Sequence, residues 1–199
     1  MLHFSRLFAR AIRAWWGEFL FLLVLNFIWL LAQLTVLFGP PATVALYVVA
    51  RQILDGELVG FGDFWRALRG GFGRAWVWGA AQLLVYGVLG FNLLFYAGRP
   101  GVGFLALRYA WTLLALAWFA LNLYYWPLNL AQTDRRFVTT LSNAAKMAAL
   151  NPGFTVAYAL FALFVIAISV LSGLLLGAVL GTWLALWSTL AVRDLLERK

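Results

Sequence analysis

The sequence predicts an all-α fold: a polytopic transmembrane helical bundle of five full spans plus a short re-entrant or tilted helix, with basic amphipathic helices at the interface. Three observations predict it. Of the 199 residues 65% are hydrophobic and 11% charged, with a mean hydropathy of +0.90, whereas soluble domains run nearer half apolar and a quarter charged. The apolar residues fall in runs that match the roughly 20 residues a helix needs to cross the hydrocarbon core. Those runs are continuous, not alternating, which excludes a lipid-facing β-barrel. An open sheet is excluded because its edge groups stay unsatisfied in lipid. The length predicts a single membrane domain over residues 1–199.

The five spans are Phe19–Phe38, Ala75–Ala97, Phe104–Leu130, Phe154–Leu175 and Gly177–Leu196. Arg6, Arg10 and Arg13 precede the first. Its apolar run is longer than the core of a signal peptide, about 7–15 residues, and no small-x-small cleavage site follows, so it reads as a retained span. The last two share one apolar stretch too long for a single crossing, with Gly173, Gly177 and Gly181 as places to turn. Between the first and second spans, Gly39-Pro40-Pro41 breaks the helix, because each Pro lacks a donor and disfavours αR before it. The apolar piece that follows, Ala42–Leu54, covers only about 20 Å at 1.5 Å per residue. It is a re-entrant piece, a short tilted span or an interfacial helix.

Charge arbitrates among these. If Ala42–Leu54 returns the chain to its starting side, only Arg99 and Arg108 of the 15 basic residues lie opposite the rest. If it stays outside the core, the best split is 10 to 5. The positive-inside rule therefore favours six crossings with both termini cytoplasmic. Trp15, Trp16, Trp76, Trp78, Tyr124, Tyr125 and Trp126 on one side, and Phe95, Tyr96, Tyr109 and Trp111 on the other, read as aromatic belts at the headgroups.

Each hairpin follows a helix-period amphipathic segment. In the first, His3, Arg6, Arg10 and Arg13 oppose Phe4, Leu7, Phe8, Ala11, Ile12 and Trp15. In the second, Asp63, Arg66 and Arg69 oppose Phe61, Phe64, Trp65, Leu68 and Phe72. In the third, Arg136, Thr140, Asn143 and Lys146 oppose Phe137, Val138, Leu141, Ala144, Ala145 and Ala148. Either the chain is a threefold repeat of about 2–54, 61–130 and 134–196, as transporters often are, or three interfacial helices match by chance.

Three blocks carry a family resemblance. Leu25–Val49 reads LNFIWLLAQLTVLFGPPATVALYVV, Phe61–Trp76 reads FGDFWRALRGGFGRAW, and Tyr125–Pro152 reads YWPLNLAQTDRRFVTTLSNAAKMAALNP. They resemble the L-N-x-x-W, F-x-x-F-F-x-x-F-K-x-N-F and Y-P-L…D…L-x-N-A blocks of the YesL-like family of bacterial membrane proteins. The chain departs from that pattern with Gly71 where Asn is usual, Arg in place of Lys, and Pro40 after the turn Gly. The resemblance implies a bacterial plasma-membrane protein of unknown function, often encoded near carbohydrate uptake systems.

The chemistry is sparse. There is no Cys and one His, His3, so no catalytic, metal or cofactor residues are expected. Asp55 and Glu57 flank Gly56 and read as a turn. Gly70-Gly71-x-Gly73 has neither the preceding strand nor the Gly-Lys-Ser/Thr of a P-loop. The net charge of +8 comes from residues flanking the apolar runs, which excludes a nucleic-acid site in favour of the bilayer. The candidate functional positions are the polar residues within spans: Asn26, Gln33, Gln82, Asn92, Asn122, Asn129 and Arg108, together with the helix-break turn Gly39, Pro40 and Pro41. Gly87, Gly90 and the Gly173–Gly181 series are candidates for close helix approach. The expected function is a non-catalytic accessory or interaction protein, partnering membrane transporter subunits for carbohydrate uptake. A small transporter or channel is the alternative. Nothing in the sequence sets an oligomeric state.

Overall fold

The fold is taken from a computed structural model, which describes residues 2–173 and 179–197, with side chains from Leu7 onward. The polar-face positions His3 and Arg6 and the turn candidate Gly177 lie outside the described side chains and residues. Every described element is a helix: α1 (Leu2–Gly17), α2 (Phe19–Leu34), α3 (Gly39–Leu54), α4 (Phe61–Gly70), α5 (Phe72–Ala97), α6 (Val102–Ala131), α7 (Phe137–Leu150), α8 (Pro152–Ser172) and α9 (Leu180–Glu197).

Among the described residues three helices, α5, α6 and α8, are long and apolar enough to cross a membrane, and the α1–α2 pair passes as a fourth only if its 91° bend counts as one broken span. The expected count of five full spans is thus not reached by length and composition. The first span stops at Leu34 and is 16 residues long, about 24 Å at 1.5 Å per residue. The last, α9, has 18 residues but carries Arg193, Asp194 and Glu197 in its final turns. Around α5, α6 and α8, large apolar side chains such as Leu84, Phe91, Leu94, Leu113, Phe164 and Leu171 face outward. So large an exposed apolar surface suits lipid, not water.

The core is built by α3, α9 and the C-terminal third of α6. Every residue from Leu123 to Leu130 is buried, as are most of α9 and nine residues of α3. This overturns part of the aromatic-belt expectation. Tyr124, Tyr125 and Trp126 are core residues at 0–2% exposure. Trp15 is buried too, its indole donating to Thr182 Oγ1 at 3.2 Å. Trp16 and Tyr109 remain outward. Pro127 does not end α6, which runs on to Ala131.

The three amphipathic helices each lie on a core helix: α1 on α9, α4 on α3 and α7 on α6. The first helix of each hairpin also touches one of these three: α2 meets α9, α5 meets α3 and α8 meets α6. On α7 the buried stripe is Thr140, Ala144 and Met147, while Val138 is outward. The expected polar-face residue Thr140 faces in because its hydroxyl donates to Arg136 O and accepts from Asn129 and Gln132.

Glycines place two close contacts. A Cβ at Gly79 of α5 would come 2.6 Å from Cγ of Pro40 on α3, and one at Gly181 of α9 would come 2.7 Å from the Trp29 ring of α2. Gly87 and Gly90, expected to serve helix approach, have open space around them. Gly173 ends α8 at φ +62, where glycine is favoured.

Candidate functional site

The polar residues predicted from the spans do not converge on one site. The structure divides them among separate inter-helix ties. Asn26 is fully buried, and its Oδ1 accepts from the backbone N–H groups of Gly181 at 2.7 Å and Thr182 at 3.1 Å. These are orphan donors of the first turn of α9, so α2 caps α9 from across the bundle.

Gln82 and Asn122 pair between α5 and α6. Gln82 Nε2 donates to Asn122 Oδ1 at 2.6 Å, an acceptor shared with the Trp78 indole at 2.9 Å. Gln82 Oε1 accepts from the Trp118 indole at 2.9 Å, and Asn122 Nδ2 donates to Trp118 O at 2.8 Å. Two tryptophans thus complete an amide pair that sequence spacing alone does not join. A double-mutant cycle on Gln82→Leu and Asn122→Leu, read by unfolding in detergent, is expected to give a coupling of about 0.6–1.7 kcal/mol.

The helix-break turn is also tied. Gln33 Nε2 donates to Gly39 O at 3.1 Å and Thr43 Oγ1 at 3.2 Å, and the Trp29 indole donates to Thr43 Oγ1 at 3.0 Å. The Trp76 indole reaches Leu37 O at 3.0 Å. Pro40 and Pro41 sit in the first turn of α3, where a missing N–H costs least. Leu34, Val36, Leu37 and Phe38 are exposed, so the turn has an apolar skin over backbone groups bonded from within.

Asn129 Nδ2 donates to Arg135 O and Thr140 Oγ1, holding α6 to the segment leading into α7. The nearby Asp134 is exposed and accepts from Arg136 N and Thr139 Oγ1. These hydrogen bonds, first the backbone one, hold its carboxyl below the usual Asp value. Their contribution is therefore present above the unfolded-state pKa and lost as pH falls through the folded one. Asn92 donates only to Val88 O of its own helix and is partly exposed. Arg108 reaches Ala97 O at 3.2 Å, tying α6 to the last residue of α5.

One cluster was not legible in the sequence. Arg51 of α3 donates to Leu130 O, and Arg193 of α9 donates to Arg51 O at 3.3 Å and pairs with Asp55 at 2.8 Å. With Pro127, Thr189 and Glu197 they line a cavity of about 340 Å³. Two guanidiniums face two carboxylates, so the rim is balanced. Asp55, read from sequence as a turn residue, is the hinge of this cluster; no local spacing links it to Arg193.

The outward apolar helices and internally tied polar groups define the class: a helical bundle built for a membrane. Residues 22–93 match a family described as a protein of unknown function, DUF624, a stretch running from α2 into α5. No curated protein and no solved structure matches the chain.

Proposed function

We propose that the chain is a non-catalytic accessory or interaction protein of the bacterial plasma membrane, with both termini cytoplasmic. The observation that carries this reading is the fate of the span amides. Asn26, Gln33, Gln82, Asn122 and Asn129 all bond neighbouring helices or turns. Large aromatic side chains, Trp126, Trp187, Tyr124 and Tyr158, fill the centre where helices meet. Polar groups spent on packing leave little to solvate a moving solute. The resemblance to YesL-like proteins adds carbohydrate uptake as the setting and transporter subunits as partners. The cyclic contacts of α1, α4 and α7 support reading 2–54, 61–130 and 134–196 as repeated units.

Purification from native membranes in mild detergent tests the proposal. Transporter subunits are expected to travel with the chain. Its recovery alone, at native expression, would overturn the accessory role. A small transporter or channel is the second reading, favoured by the short α2–α3 pair with its internally bonded turn.

A further inference from the structure

The sequence R-A-x-x-G-x-F occurs at Arg13–Phe19 and again at Arg66–Phe72. That offset sets Phe8 of α1 on Phe61 of α4. The two rings make matching edge contacts with an apolar helix: Phe8 with Phe161 of α8 at 5.8 Å, Phe61 with Phe21 of α2 at 5.1 Å. Beside each contact runs an apolar groove. One, of about 250 Å³, lies between α1, α8 and α9. The other, of about 260 Å³, lies between α2 and α4 and is lined by Ile28, Leu31, Ala32, Phe64, Trp65 and Leu68 among others. Such a surface has almost no polar group to hold water.

The α2–α4 groove has a polar end. Trp65 forms its wall and also lines a second, open concavity with Arg66 and Arg69. Arg66 pairs with Asp63 at 2.9 Å, so the two arginines and one aspartate leave a net positive charge. Passing over the Trp65 ring, the surface changes from hydrocarbon-like to cationic. Its complement is a molecule with an apolar chain at one end and an anion at the other.

We propose that the α2–α4 groove binds one acyl chain of an anionic phospholipid whose phosphate is held by Arg66 and Arg69. This rests on insertion of the chain in a membrane, and α4 then lies at the level of the headgroups. Trp65 marks the boundary, as Trp does at membrane interfaces.

The test is native mass spectrometry of the full chain in detergent, offered equal phosphatidylglycerol and phosphatidylcholine. Phosphatidylglycerol is expected to be retained about five- to tenfold over phosphatidylcholine. Arg66→Gln with Arg69→Gln, both exposed, should bring the ratio to parity without changing the melting curve. Ala32→Trp, which fills the groove, should remove one bound lipid. An excess of inorganic phosphate should displace nothing. Equal retention by the unaltered chain, a preference that survives loss of both arginines, or displacement by phosphate would overturn the site. A chain that never partitions into membranes would instead contradict the insertion it rests on.

Discussion

Asn26→Leu is expected to destabilise the protein by about 2–6 kcal/mol, since it leaves two buried N–H groups without an acceptor at about 1–3 kcal/mol each. Leu keeps the branched outline but sets a methyl where Oδ1 lies 2.7 Å from Gly181 N, so steric crowding adds to the polar loss. Gly181 and Thr182 are the second and third residues of α9, and their N–H groups carry the positive end of its dipole. The helix they begin supplies Leu186, Trp187 and Leu190 to the core, so its first turn cannot fray at small cost. Reversible unfolding in mixed micelles measures the effect. Asn92→Leu is the control: its side chain is partly exposed and bonded only to its own helix, and the change is expected to cost less than about 0.5 kcal/mol. Equal effects at the two positions would show that Asn26 does not cap α9.

Gly79→Ala should cost about 1–3 kcal/mol, the range for overpacking, although Ala favours a helix by about 1 kcal/mol over Gly. The added Cβ would sit 2.6 and 2.9 Å from two atoms of the Pro40 ring. That ring cannot swing away as a flexible chain end would, so α3 and α5 must separate. Gly87→Ala on the same helix meets nothing within 4 Å, and there the propensity gain stands alone. The two substitutions are therefore expected to move the melting temperature in opposite directions. A stabilising Gly79→Ala would mean that α3 and α5 do not approach at Pro40.

The helices were legible because their signals are local. Apolar runs and the break at Gly39-Pro40-Pro41 locate elements within a few residues of where they stand; of the three glycines read as places to turn, Gly173 ends α8, Gly181 lies within α9 and Gly177 is outside the described residues. What was not legible depended on residues far apart in the chain. Tyr124, Tyr125 and Trp126 look like an interfacial belt until α8, α7 and α5 are seen to pack on them, through Tyr158, Phe137 and Trp78. Spacing marks Gly87 and Gly90 for close approach, but α5 meets α3 lower down, at Gly79. The amides themselves could be picked out as polar groups in apolar surroundings. Their partners could not, because Asn26 and Gly181 are 155 residues apart and nothing in either segment names the other. The Arg51, Asp55 and Arg193 cluster was hidden for the same reason.

We propose that the polar residues inside this bundle join helices and do not carry a solute. Uptake into proteoliposomes holding the purified chain tests it most directly, with sugars, nucleosides and small ions offered in turn. The expected result is no flux above that of protein-free vesicles. Saturable uptake by the unaltered chain, abolished by Gln82→Leu or Asn122→Leu in protein that still folds, would contradict it.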